Sequence, residues 1–307
     1  MDLRQLRSFV HVADLRSLTR AAGFLGVSQP ALSRQIRLLE EGLGTKLFHR
    51  NGQGVSLTAA GSLLLERCPR VLGEIENIRS EMQAYICGAG PTGTVGVGVP
   101  VAVSPLLADP FLEKCRTIYP DISVRLVEGF SALLHEWLQT GSIDLSFLYG
   151  PRPSGVIESK RLLIEDLYAI GPATAEAEAL SSLTPTALAK SPLILPHRPH
   201  IIRELVHQTG IQPVSIIEVD APGIMIELAH AGRGYAILPL TCVTIHVAAG
   251  FVRAIPIQHP SISWTATLSY SKLRPLSPAA HAIFKLICDE VGGLVRSGRW
   301  PARLVTS

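Results

Sequence analysis

The chain has 307 residues, of which 47% are hydrophobic and 17% charged. That balance excludes a disordered acidic or basic polymer, and the length accommodates two to three domains of about 100–150 residues each. The formal net charge of +3 is unevenly placed: residues 1–58 hold eight Lys and Arg against four acids, a net +4, which leaves −1 for the remainder. A basic head on a nearly neutral body fits a nucleic-acid-reading module joined to a body of another kind, although a solvated basic face would give the same tally. The five cysteines lie far apart without metal-ligand spacing and read as small core residues of a reducing cytoplasm, so neither a metal nor a cofactor is expected. Arg4 and Arg7 stand where a signal peptide would need an apolar run. The charge-free run from Tyr235 to Val252 contains Pro239, His246 and Gly250, and reads as strand, turn and short helix rather than a membrane span.

Leu3, Leu6, Phe9, Val10 and Ala13 repeat at helical spacing, as do Leu18, Ala21, Ala22 and Leu25. Gly26 then permits a bend, Val27 is expected to plug the angle, Ser28 is a good N-cap, and Pro30 falls in a first turn that tolerates a missing N–H. In the helix that follows, Leu32, Ile36 and Leu39 share one face, so Pro30, Ser33, Arg34 and Arg37 point the other way, with Gln29 at the tip. Small residues at 21 and 22 let two helices approach closely, and Ser, Gln and Arg are side chains that bond base edges and phosphates from a helix in the major groove.

The stretch FVHVADLRSLTRAAGFLGVSQPALSRQIRLLEEGLGTKLFHR, closing with VSLTAAG, resembles the amino-terminal domain of LysR-type transcriptional regulators, and the similarity runs along essentially the whole chain. The resemblance implies an α/β protein with a winged helix-turn-helix over residues 1–58, a linker and dimerisation helix with hinge over 59–91, and a periplasmic-binding-protein-like effector domain over 92–307. That domain would have two α/β halves, 92–162 with 270–300 and 163–269. It further implies that Ser28, Gln29, Pro30, Ser33 and Arg34 lie at the reading tip, that Arg37 meets phosphate, and that Thr45 to Thr58 form a wing carrying Arg50. Family wings often bear a second arginine where this chain has Gln53, which predicts a weaker salt dependence than in a more basic relative. The implied partners are double-stranded DNA with an interrupted palindrome, a small-molecule effector, further copies of the chain as a dimer through the linker helix and a tetramer through the effector domains, and RNA polymerase.

From Thr58 onward Leu64, Cys68, Val71, Ile75, Ile78, Met82 and Tyr85 alternate steps of four and three, a heptad seam that suits pairing with a copy of itself; Pro69 is expected to kink it. Gly88, Gly90, Pro91 and Gly93 form a breaker cluster. TVGVGVPVAV reads as a strand with glycines for close helix packing, since its order is not that of a phosphate loop. A helix near Pro105 to Tyr119 and the strand DISVRLVEG complete a βαβ unit, which recurs as PLILP, a helix from His200 to Gln208, and QPVSIIEVD. Strands crossing between the halves are expected at Leu162 to Ile170 and Trp264 to Tyr270, and a last helix from Ser277 to Val295 should return to the first half.

Ligands of such sheets sit at the carboxyl ends of strands, which selects Pro100, Val101 and Ser104, then Gly129, Phe130 and Ser131, then His197, Arg198 and His200, and finally Thr241. Serine hydroxyls with Arg198 and the histidines suit a small anion. Alternatively, the HRPH residues form a surface turn that caps the next helix. Enzyme readings find no support: GFSAL around Ser131 lacks the second glycine of a nucleophile elbow, and HEWLQ lacks the second histidine of a zinc-protease helix. An enzyme or a solute-binding protein using the same cleft stays as the alternative, the first to be favoured by turnover of a bound ligand, the second by an export signal.

Overall fold

The computed structural model describes residues 1–51, 54–87, 90–150, 154–174 and 180–305. These fall into two compact units, Met1–Thr94 together with Thr140–Ser142, and Val95–Gln139 together with Ile143–Ser307.

The head begins with helix α1 (Leu3–Leu15), whose N-cap Asp2 and Gln5 form a reciprocal capping box, followed by α2 (Leu18–Leu25), capped by Ser17, and α3 (Gln29–Leu43), capped by Ser28. Gly26 ends α2 at φ +65° and donates to the Ala22 and Gly23 carbonyls, a left-handed stop for which glycine is the default residue. The core is made of Leu6, Phe9 and Val12 of α1, Ala21 and Ala22 of α2, and Leu32, Ile36 and Leu39 of α3, as the 3.6-residue spacing predicts. Val27 is more than a third exposed and does not plug the bend; the chain turns on backbone hydrogen bonds instead, Val27 N–H donating to the Ala22 carbonyl.

A two-stranded hairpin, β1 (Phe48–Asn51) and β2 (Gly54–Leu57), pairs Phe48 with Leu57 and Arg50 with Val55; Gln53 lies outside the described residues. Helix α4 (Ala59–Cys87) runs on from it. Thr58 ties its start to the hairpin, accepting from Gly61 N–H and donating to the Lys46 carbonyl. Gly61 is required there, because a Cβ would come 2.1 Å from the Leu47 carbonyl oxygen. Helical backbone continues through Pro69 with no break. The heptad seam divides: Leu64 and Cys68, with Leu65 and Leu72 beside them, pack on the head's own core, whereas Val71, Ile78, Met82, Tyr85 and Ile86 are exposed. Gly88 of the breaker cluster lies outside the described residues.

The second unit is built on strands β3 (Gly93–Val99), β4 (Ile122–Glu128), β5 (Leu145–Tyr149), β6 (Ile157–Pro172), β7 (Leu193–Leu195), β8 (Ile216–Glu218), β9 (Tyr235–Pro239), β10 (Val252–Pro256), β11 (Ser263–Ser271) and β12 (Arg303–Leu304). Among the described residues their order is β4-β3-β5-β11-β6-β9-β7-β8, with β10 and β12 also on β6. Parallel β3 and β5 form one half, and parallel β8, β7 and β9 the other. The 16-residue β6 belongs to both halves: Ile157 to Asp166 pair with antiparallel β11, and Leu167 to Pro172 with β9 and β10. Helices α5 (Ser104–Ile118), α6 (Ser131–Thr140), α7 (Pro185–Leu188), α8 (Ile201–Gln208), α9 (Pro222–His230), α10 (Thr244–Ala248) and α11 (Pro278–Arg296) complete it. Buried Glu290 of α11 takes the Lys114 ammonium of α5, which returns the last helix to the first half. Gly98 sits against Ile143, Leu134 and Ser146, where a Cβ would come within 2.7–2.8 Å, so this glycine serves close packing.

Candidate functional site

Two surfaces gather the candidate side chains, one in each unit. On the head, Gln29, Pro30, Arg34 and Arg37 are exposed along one side of α3 and Ser33 is half-buried. Ser28 is committed locally, its Oγ accepting Ala31 N–H at 3.4 Å. Arg37 reaches Glu41 one turn on at 3.5 Å, an exposed pair worth little and therefore readily given up to a phosphate. Ser8 of α1 holds Gln35 through a side-chain hydrogen bond, which fixes the half-buried flank of the same helix.

Glu40 connects this helix to the wing. Its carboxylate is buried; Oε1 accepts from Leu47 N–H at 3.0 Å and from Phe48 N–H at 3.4 Å, and Oε2 from the Lys46 ammonium at 2.8 Å. Burial pushes its pKa upward, but the Lys46 and backbone donors outweigh that and hold it below the usual glutamate value. The acid thus substitutes for the missing strand partners at the start of β1.

In the second unit a cavity of about 110 Å³ opens where the two halves meet. It is walled by Pro100 and Val101 after β3, by Gly129, Phe130 and Ser131 after β4, and by Pro196, Pro199 and His200 after β7, with Met225 and Leu238 adding apolar surface. Tyr149 and Trp264 are stacked, ring centroids 3.9 Å apart, and form its floor with Cys242 beside them. Helices α6 and α8 begin at the wall, where Ser131, Ala132 and Ile201 line the cavity, so the positive ends of their dipoles converge there; α5 starts behind it, its first-turn N–H groups taken by the Pro100 and Val103 carbonyls. Ser131 Oγ accepts Tyr149 N–H at 3.1 Å and keeps its own proton to donate. His200 Nδ1 caps α8 by accepting Ile202 N–H at 3.2 Å, which leaves its proton on Nε2; burial lowers its pKa against the opposing pull of Asp220.

The remaining predicted residues stand apart from this wall. His197 pairs with Asp220, its ring 2.5 Å from Oδ2 and its N–H 2.9 Å from Oδ1, and these bonds depress the Asp220 pKa. Arg198 is exposed and borders a separate hollow with Arg203, His207 and Gln208. Ser104 opens α5 behind the wall, and the Thr241 hydroxyl is turned into the protein, donating to Glu165 at 2.8 Å. Asp220, Tyr149 and Trp264 were not among the residues expected from strand ends; Asp220 enters through its position after β8, and the aromatic pair through cross-strand register. Among the described residues no cluster of three or more His, Cys, Asp or Glu could hold a metal, and no helix is long and apolar enough to cross a membrane.

A winged helix-turn-helix followed by a bilobed α/β unit with a cavity between its halves defines the class of two-unit DNA-binding transcriptional regulators. Residues 3–62 match the bacterial regulatory helix-turn-helix of the lysR family and residues 88–291 the LysR substrate binding domain, so the chain belongs to the LysR family of transcriptional regulators. It is 30% identical to the transcriptional regulator BbuR of Bordetella bronchiseptica over 98% of this chain and 93% of that protein. It is also 30% identical to the nitrogen assimilation regulatory protein nac of Klebsiella aerogenes, over 95% of each. Full-length CbnR, solved in complex with its target DNA, superposes with a TM-score of 0.70 at 25% identity, covering 94% of this chain and all of that one. A full-length OxyR variant from Pseudomonas aeruginosa gives 0.70 at 26% identity, over 95% of this chain and 94% of the other.

Proposed function

We propose that this regulator reads an interrupted palindrome as an assembly of copies and that a small effector with an anionic or strongly accepting head group controls it from the cavity between the halves. The observation that carries the effector reading is the convergence of the starts of α6 and α8 on one mostly apolar cavity, with the Ser131 hydroxyl and the neutral His200 ring as added donors. A carboxylate would be met by backbone N–H groups, and its body by Met225, Leu238 and the aromatic floor. Arg198, exposed beside the neighbouring hollow, belongs to the entrance in this reading.

On the DNA side, Gln29, Pro30, Ser33 and Arg34 address base edges, Ser28 holds the helix start, and Arg37 with Arg50 addresses phosphate. The exposed apolar stripe of α4 pairs two heads into a dimer, the effector units join dimers into a tetramer, and effector binding changes how the assembly sits on DNA in the cytoplasm and meets polymerase. Domain limits near residues 58 and 91 belong to the same proposal. The test is selection of bound duplexes from a random library by the full chain at physiological salt, repeated with panels of small carboxylates, phosphates and amines. Enrichment of a two-fold symmetric site whose occupancy or footprint responds to a carboxylate is the expected result; a single unpaired site, or footprints indifferent to every compound that stabilises the protein, would overturn it.

A further inference from the structure

Beneath the cavity lies a group that the binding wall does not use. Glu165, at the centre of β6, is 1% exposed. It accepts four hydrogen bonds: Oε2 takes the Tyr149 hydroxyl at 3.0 Å and the Trp264 indole N–H at 2.9 Å, and Oε1 takes the Thr241 hydroxyl at 2.8 Å and the Trp300 indole N–H at 3.0 Å. No cation is among these partners. Burial pushes its pKa up, against all four donors. A buried carboxylate neutralised only by dipoles is costly to keep, and its removal would leave four donors without an acceptor, so the acid and its partners stand or fall together.

The four donors come from four places. Tyr149 ends β5 in the first half, Thr241 follows β9 in the second, Trp264 faces Glu165 across the β11 register, and Trp300 is brought in by the pairing of β12 with β6. The two oxygens divide the work: Oε2 holds both rings of the cavity floor, while Oε1 holds the second half and the segment after α11. We infer that Glu165 is the positioning residue of the effector response, a single carboxylate through which a displaced cavity floor is felt in both halves of the unit. This rests on the cavity being the effector site.

The sequence has three tryptophans, and two of them donate to Glu165. Fluorine NMR of the full chain labelled with 5-fluorotryptophan therefore reads the two oxygens separately, with Trp137 as an internal reference. Thr241→Val, which touches only the Oε1 side and leaves the cavity wall intact, is expected to shift the Trp264 resonance as well as that of Trp300. In the Glu165→Gln background the same substitution should leave Trp264 where it was. A carboxylate that stabilises the native chain should move both resonances, and only that of Trp264 once Glu165 is replaced. A Trp264 resonance indifferent to Thr241→Val, or one that responds equally with and without Glu165, overturns the inference. Should Glu165→Gln fail to fold, Thr241→Val alone still decides, because a merely structural carboxylate would lower the melting temperature without carrying the change to Trp264. If no compound in the panel shifts either resonance, the effector reading fails while the mutational result stands on its own.

Discussion

At Glu40 one side chain decides whether the wing starts where it does. Two backbone N–H groups and the Lys46 ammonium converge on this buried acid, so Glu40→Gln replaces an acceptor-only carboxylate with a group that must turn donors toward donors. The expected cost to the head is about 1–3 kcal/mol, read as a lowered denaturation midpoint. Because the folded pKa is depressed, the stability Glu40 contributes is fully present above the ordinary glutamate value near 4.5 and is lost as pH falls through its lower folded value. The Gln variant should therefore lack that part of the acid limb of the stability profile; identical acid limbs would refute the assignment. Glu165 teaches the complementary lesson about legibility. Leu163, Glu165, Leu167 and Ala169 alternate on one buried side of β6, so the acid's burial was readable from the period of two, but its four partners come from distant segments that no local spacing links.

Among the elements, α3 is where the sequence was most informative. Its apolar stripe fixes Leu32, Ile36 and Leu39 inside and thereby turns Arg34 and Arg37 outward. Arg34→Ala is expected to cost about 1–3 kcal/mol with relaxed preference at one base position, whereas Arg37→Ala should weaken all duplexes alike and reduce the salt slope by about one unit. Affinity and preference both unchanged in the Arg34 variant would place the reading face elsewhere. Helix α4 was only half legible, since the heptad pattern cannot say which of its residues are spent on the chain's own head. Cys68 and Leu64 are spent in this way, while Ile78 and Met82 are open. Met82→Glu should shift the full chain toward smaller species in sedimentation velocity without lowering the stability of the head, and an unchanged size distribution would exclude this stripe as the pairing surface.

For the whole molecule, the two compact units give ligand and DNA separate folding units to act on. A ligand held only by the second unit stabilises it by RT ln(1 + [L]/Kd), about 2.7 kcal/mol at a hundredfold excess over Kd. Calorimetry of the full chain should then show an effector-unit transition that climbs with ligand while the head transition stays; a head transition that climbs equally would indicate that the ligand contacts the head. The alternation of strands and helices made the bilobed sheet and its crossing strands readable, whereas the direction of Arg198 and the seating of His197 on Asp220 depend on turn geometry that spacing does not encode. One consequence concerns the number of residues in α4. Its first turns are docked on the head and its later turns carry the open stripe, so a single register must satisfy both. Inserting one residue near Gly73 would swing the stripe by about 100° relative to the docked face, whereas inserting seven would return it to within about 20°. The helix is thus a gauge of fixed pitch, and lineages of this chain should tolerate substitutions along it far better than the gain or loss of a single codon.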